Sequence, residues 1–238
     1  TWGSSFSRFT FNVDEAYFDW KPFSSVQLIG GKREVSKLMA LNSDVIWDTD
    51  ITMDGAMLRL NKDIAEGVNL FSHFGAYLVN HISQTGHQND DPWILHAQPG
   101  IEYKKVSDTL QFTGQAAFGY VGFRNTTHRV DSSIMTITGN TVGDNGKLKY
   151  QYDLLYPTMR LDWKWGGPKA DAYSFGLVGD YIYNPDPQDT AYLLGCRLGT
   201  GKVGERFGDW QVGYNWRYIE DDACLSAFAD SDSYSGLT

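Results

Sequence analysis

The chain has 238 residues and a formal net charge of −9, and 42% of its residues are hydrophobic and 15% aromatic. Nothing in it resembles a basic patch able to replace phosphate counterions, so we expect no binding to nucleic acid. No apolar run approaches the roughly 18 to 20 residues that a membrane helix needs, so any crossing of a membrane must be made by strands.

Alternation of apolar and polar residues predicts four strands in the first third of the chain. They lie around residues 16–20, 26–33, 56–60 and 69–78. In the first of them Ala16, Phe18 and Trp20 share one face. For residues 26–33, the alternation does not assign which side chains belong to which face.

The same alternation is clearest further along the chain, where one face of each predicted strand is apolar and the other is polar. These strands cover residues 93–104, 109–120, 172–183, 192–198 and 210–218. The first two are separated by only four residues, 105–108, and are therefore interpreted as a hairpin.

Residues 147–165 also alternate throughout, but the apolar parity switches within them. Tyr156 belongs to the first apolar set and Met159 to the second, with Pro157 and Thr158 between. We interpret the switch as a β-bulge inside one long strand, and two strands joined by a tight turn remain an alternative.

Short and long links alternate between the predicted strands. Short links fall at residues 21–24, 61–66, 105–108, 166–171 and 201–208, and the links between them are 34–51, 80–92, 122–146 and the short exception 184–188. Bacterial barrels have short turns on one rim and long loops on the other. We therefore expect residues 1–238 to form one all-β domain, an antiparallel up-and-down transmembrane β-barrel with about ten strands visible.

The direction of these strands suggests a larger barrel, because bacterial barrels have even strand numbers and usually begin and end on the short-turn side. This chain begins and ends on the long-loop side. We expect further strands at both ends, in a barrel of about 16 strands, and a secretion signal that has been removed or left out.

Charged and amide side chains fall on the parity opposite to the apolar one. A Lys or Arg facing lipid at the bilayer midplane costs roughly 2–4 kcal/mol, so this parity should face the lumen. The predicted pore-lining residues are Arg59, His96, Glu102, Lys104, Gln111, Gln115, Arg160, Asp162, Lys164, Asp180, Arg197 and Arg217. The predicted lipid-facing residues are Leu110, Phe112, Phe118, Trp163, Phe175, Leu177, Trp210 and Trp216.

Three of the predicted pore-lining residues are arginines on nearby strands. Arg160, Arg197 and Arg217 could form a basic ladder that biases ion selectivity. The preferred alternative is that they pair with Asp162 and Asp180 and brace the wall.

Evidence for a metal or for catalysis is slight. Asp48, Asp50 and Asp54 form a weak Ca²⁺ candidate, because the bidentate Glu that closes a calcium loop is missing. A rim loop, or a loop folded into the lumen, is the preferred interpretation. No nucleophile elbow or phosphate loop is present, so we expect no enzyme activity and no cofactor. Cys196 and Cys224 are expected to be free thiols.

Four stretches of the chain resemble the bacterial putative porin family of outer-membrane barrels. They are residues 16–22, residues 44–50 with Asp54 and Gly55, residues 179–184, and residues 208–220 continuing to 227–232. The resemblance implies a signal peptide, further strands before and after this segment, and a terminal aromatic residue, which residues 235–238 lack. It implies a channel and brings no catalytic residues.

Passive diffusion of small hydrophilic solutes or ions is therefore the expected function. The expected setting is the bacterial outer membrane, as a homo-trimer in contact with lipid and lipopolysaccharide. A structural barrel that is plugged, or that sheathes an electron-transfer protein, is the second hypothesis. A soluble all-β binding protein or polysaccharide enzyme is the third.

Overall fold

A computed structural model describes residues 13–79, 91–130, 132–166, 173–200, 203–204 and 207–229. Within them the chain forms ten strands and one short 3₁₀ helix, Val35–Lys37. The strands are β1 Ala16–Phe23, β2 Val26–Glu34, β3 Thr52–Ala65, β4 Val68–Leu78, β5 Trp93–Val106, β6 Leu110–Arg124, β7 Asp153–Trp165, β8 Tyr173–Asn184, β9 Asp189–Gly199 and β10 Gln211–Ile219. None of the helices in the described ranges is long and apolar enough to cross a bilayer.

The ten strands form one antiparallel sheet in the order of the sequence, β1 to β10. This confirms the predicted all-β, up-and-down architecture. Among the described residues, the pairings join each strand only to its sequence neighbours, and none joins β1 to β10. Of the two described cysteines, Cys196 is exposed and Cys224 is buried, and neither is part of a disulfide.

The links alternate in length as predicted. Residues 24–25, 66–67 and 107–109 make tight turns at one end of the strands, which we call the short-turn end. Residues 35–51, 79–92 and 125–152 join strands at the opposite, long-loop end, where the short link 185–188 is the exception. Parts of 79–92, 166–172 and 200–210 lie outside the described residues.

The register defines the two faces of the sheet, because directly paired residues in an antiparallel sheet lie on the same face. We call the face that bears Ile29, Met57 and His96 the inner face, since the long loops fold onto it. The opposite face, which bears Phe112 and Trp163, is the outer face. This assigns β2, whose facing the sequence left open: Ile29 faces inward.

The predicted β-bulge at Pro157 and Thr158 is wrong. The pairing of β6 with β7 runs without a shift from Leu110↔Trp165 to Gly122↔Asp153. The strand itself is regular. The apolar residues change parity because the inner face of β7 is apolar toward the long-loop end and polar toward the short-turn end. Residues 147–152 belong to the preceding loop, so the two-strand alternative is wrong as well.

The inner face is apolar in its long-loop half. Three segments pack there, residues 35–51, the described part of 125–152, and 220–229, and together with the strands they form one buried cluster. Trp47, 0% exposed, lies at its centre, with its ring centroid 6.4 Å from that of Phe123 and 5.9 Å from that of Phe228. The polar inner parity predicted from the sequence therefore describes only the short-turn half.

Gly119 shows how tightly this apolar half is built. A β-carbon at Gly119 would overlap the buried ring of Tyr156 on β7. We expect Gly119→Ala to lower the free energy of unfolding by about 1–3 kcal/mol, the usual cost of overpacking. Gly179→Ala is the matched control, because its new β-carbon would meet nothing closer than 3.7 Å. Urea midpoints in detergent micelles measure both, and equal midpoints would contradict the packing described.

Candidate pore lining

The register places all twelve predicted pore-lining residues on the inner face. Glu102 pairs with Gln115, and Gln115 with Arg160. Asp162 pairs with Gly176, which pairs with Arg197. The others follow by the same alternation: Arg59, His96, Lys104, Gln111, Lys164, Asp180 and Arg217. Their contact with a water-filled pore stays a prediction.

Two of the twelve are buried rather than open to the inner space. His96 lies in the apolar half, where its Nε2 is 2.8 Å from the hydroxyl oxygen of Tyr156. The side chain of Asp180 is 0% exposed. These two side chains support the wall instead of presenting a surface to solute.

Seven of the eight predicted lipid-facing residues lie on the outer face within strands, and Trp210 lies just before β10. Phe112, Trp163 and Phe175 form a row across β6, β7 and β8, with successive ring centroids 5.1 and 5.6 Å apart. Exposed large apolar side chains continue over the outer face from β1 to β10. Their contact with lipid stays a prediction.

Side chains of three strands hold residues 35–51, which we call the inner loop, against the inner face. Arg59 on β3 donates to the carbonyl oxygen of Lys37, and Nδ1 of His73 on β4 donates to that of Leu38 over 3.1 Å. Gln98 on β5 accepts from the N–H groups of Ala40 and Leu41, each at 3.0 Å, and donates to the Leu41 carbonyl at 2.9 Å. These strand side chains thus hold the inner loop through its backbone N–H and carbonyl groups.

Arg160 on β7 extends this attachment and forms a buried ion pair. Its guanidinium donates to both carboxylate oxygens of Asp180, at 2.7 and 3.2 Å, and to the carbonyl oxygen of Asn42 at 2.5 Å. Thr158 also donates to Asp180. One arginine therefore ties strands β7 and β8 to the inner loop.

The other two arginines of the predicted basic ladder, Arg197 and Arg217, also pair with carboxylates. Arg197 donates to Asp162 at 2.5 Å, and Arg217 lies 3.6 Å from Asp44 of the inner loop. The preferred pairing of arginines with Asp162 and Asp180 is therefore observed for Arg197 and Arg160. The sequence did not indicate Asp44 as the partner of Arg217.

The comparison with protein families fits this arrangement. A family model described as a putative porin matches residues 1–155 and 171–238. The chain belongs to the putative porin family. Comparison with curated proteins and with solved structures gives no match.

Membership of a porin family implies an outer-membrane location and a non-enzymatic, porin-like channel. All four stretches on which the sequence resemblance rests fall within the matched residues. The polar short-turn half of the inner face and the apolar outer face agree with such a barrel.

The weak Ca²⁺ candidate in this porin-family chain is not assembled into a site. The Oδ1 atom of Asp48 accepts the backbone N–H of Asp50 at 3.0 Å, which is a local turn. Asp54 lies on β3, on the outer face, paired with Lys32 and Leu78. Across the described residues, no group of three or more His, Cys, Asp or Glu side chains could hold a metal ion.

Charged side chains at the end of β2 and beside it fix the start of the inner loop. The backbone N–H of Glu34 donates to the carboxylate of Glu15 at 2.9 Å and lowers the pKa of Glu15, and Lys37 adds to this effect. The hydrogen bond of Lys37 to Glu34 raises the pKa of Lys37. Both groups therefore keep their charges over a wider pH range than free side chains.

The sequence did not indicate two of the residues that hold the inner loop, His73 and Gln98. Gln98 has the inward parity, but nothing local distinguishes it from an ordinary polar wall residue. A usable signal was the apolar run Val45, Ile46 and Trp47 inside an otherwise acidic link. An exposed rim loop would not carry three such residues in succession, and all three are buried.

Gln98 offers a direct test of this attachment. We expect Gln98→Leu to leave three backbone groups without their partner, two of them buried, at about 1–3 kcal/mol for each unpaired group that water cannot reach. The N–H groups of Ala40 and Leu41 should then exchange with deuterium much faster. Gln111→Leu, on the same face at the short-turn end, is the control and should leave that exchange unchanged. Unaltered exchange in Gln98→Leu would contradict the attachment.

Proposed function

We propose that this porin-family chain forms the wall of an outer-membrane channel for passive diffusion of small hydrophilic solutes or ions. The observation that carries the proposal is the docking of the inner loop onto the inner face. Contacts from Arg59, His73, Gln98, Arg160 and Arg217 hold it there. In this proposal the inner loop narrows the channel beside a wall of charged and amide side chains.

The distribution of charge over the two faces supports a wet interior. Arg160, Arg197 and Arg217 face inward, where they find carboxylate partners. The outer face exposes mainly aromatic and aliphatic side chains over the span of the strands. Since charged side chains facing lipid are costly, this division suits a barrel with lipid and lipopolysaccharide outside and water inside. The homo-trimer stays a prediction.

One observation favours the second candidate, a plugged structural barrel. The apolar cluster around Trp47 joins three loops across the long-loop half of the inner face. A core of this kind could close the lumen instead of narrowing it. The two functions predict different electrical behaviour.

Planar-bilayer recording tests the proposal. We expect the purified protein to give discrete conductance steps. We also expect Arg197→Gln, which removes an inner-face cation, to shift the cation-to-anion permeability ratio about twofold toward cations. Arg124→Gln is the control, because Arg124 lies on the outer face, where it binds Asp153 at 2.7 Å. Folded protein that inserts but gives no steps would overturn the channel and support the plugged barrel.

A further inference from the structure

A hollow lies between the inner loop and the inner face of β7 to β10. Its volume is about 330 Å³, at the lower end of the range of small-molecule sites. Asn42 and Asp44 of the inner loop line one side, and Arg160, Asp162 and Arg197 line the strand side. The hollow therefore lies beside the inner loop, which narrows the proposed channel.

Glycines on the strands create this space. Gly176 on β8 and Gly213 on β10 flank Arg197 in the same inward row and also line the hollow. A β-carbon at Gly213 would meet no atom closer than 3.6 Å. A side chain at this position would fit the sheet and would occupy the hollow.

The accessible groups in the hollow carry both signs of charge. The side chain of Arg197 is 54% exposed, that of Asp44 45% and that of Asp162 32%. The Arg160–Asp180 pair differs, because the Asp180 side chain is fully buried. Arg197, Asp44 and Asp162 therefore form a dipolar surface that a solute can reach.

Asn42 of the inner loop also lines the hollow. Within the described residues, neither Nδ2 nor Oδ1 of Asn42 has a hydrogen-bond partner, although both atoms are buried. Asn215 contributes a second amide from β10.

The remaining wall is aliphatic, with Val178 and Leu193, and none of the described residues that line the hollow is aromatic. Sugar rings usually find an apolar aromatic face to lie on, and this wall offers none. A short aliphatic side chain fits such a wall better.

We propose that the hollow is a binding site for small zwitterionic solutes of amino-acid size, an inference that rests on the proposed channel. The solute carboxylate pairs with Arg197, its ammonium group with Asp44 or Asp162, and its side chain contacts Val178 and Leu193. Binding is weak and reversible, because a site within a channel must also release the solute.

Binding is measured on the purified protein in detergent by saturation-transfer NMR, which needs no conducting channel. The probes are L-alanine, propionate, propylamine and glycerol. We expect L-alanine to saturate at millimolar concentration and to bind at least about tenfold more tightly than the other three. Equal binding of propionate would identify an anion site, equal binding of propylamine a cation site, and equal binding of glycerol a general polar surface. Each of these results would overturn the inference.

Two variants with different chemistry localise the binding. Arg197→Gln removes the charge, whereas Gly213→Val fills the hollow beside Arg197 and leaves every charge in place. We expect each to weaken L-alanine binding at least about tenfold. The control, Lys164→Gln, removes an inner-face cation outside the hollow and should leave binding unchanged. Binding that survives Gly213→Val in correctly folded protein would overturn the site.

Liposome swelling separates this inference from the proposed channel. Swelling in L-alanine whose rate saturates with concentration supports both. Swelling that stays linear, together with NMR binding no tighter than that of glycerol, overturns the site and leaves the channel intact. Absence of swelling with every solute overturns the channel, whereas saturable NMR binding in that case still supports the site.

Discussion

Trp47→Ala is expected to release the inner loop from the wall and to lower the free energy of unfolding by about 3–5 kcal/mol, the usual cost of emptying a large buried aromatic site. Trp47 is fully buried between Phe123 of β6 and Phe228 of the segment after β10. The substitution therefore removes the contacts of the inner loop with β6 and with the segment after β10 at the same time. The strand pairings do not involve Trp47, so the sheet should persist.

Two measurements follow the Trp47→Ala protein. Urea midpoints by circular dichroism report the loss of stability, and single-channel conductance should rise because the inner loop no longer narrows the lumen. The matched control is Trp216→Ala, on the outer face and partly exposed, which should leave the conductance unchanged. An unchanged conductance in Trp47→Ala, with a lowered midpoint, would show that the inner loop does not set the channel width.

Asp180→Ala is the second change with a large expected effect. It leaves the Arg160 guanidinium without its carboxylate and Thr158 without its acceptor. Breaking a buried pair from one side costs about 3–5 kcal/mol, and the lower end applies here because the Arg160 side chain is 21% exposed. The loss should appear as a lower urea midpoint.

Asp162→Ala is the matched comparison for Asp180→Ala. It breaks the Arg197–Asp162 pair, which is exposed and should be worth only about 0–1 kcal/mol. The double change Arg160→Met with Asp180→Leu should recover much of the stability, since apolar residues often replace a buried pair without loss. Similar midpoints for Asp180→Ala and Asp162→Ala would contradict the burial assigned to Asp180.

Alternation was enough to predict the ten strands and the faces of most of them, because strand register leaves every second residue on the same side. Gln115 and Phe118, for example, lie on the inner and outer faces as their parity indicated. The links confirm the same architecture, with tight turns at one end and long loops at the other.

The sequence misled where the inner face meets the loops. Leu154 and Tyr156 are apolar and face inward because they pack against loops that are distant in sequence, including Leu225 of the last described segment. Local periodicity contains no information on that partner. An apolar residue at an inward position was therefore interpreted as a bulge in the strand, when the face itself was buried.

The candidate site shows the same limit. The sequence indicated that Arg160, Arg197 and Arg217 face inward. It also indicated that arginines pair with Asp162 and Asp180. The attachment of Arg217 to Asp44, and of Arg160 to the Asn42 carbonyl, depends on how the inner loop folds back over the sheet. Such contacts span more than a hundred residues, and no spacing rule connects them.

The most direct test of the account is the environment of two adjacent residues on opposite faces of β6. Spin labels are placed one at a time at Gln115→Cys and Ala116→Cys, in a background carrying Cys196→Ser and Cys224→Ala, and the protein is reconstituted in liposomes. We expect the label at 115 to be accessible to a water-soluble nickel chelate and the label at 116 to oxygen dissolved in the lipid. Equal accessibility of both labels to the nickel chelate, or the reverse pattern, would contradict a barrel with a wet inner face and a lipid-facing outer face.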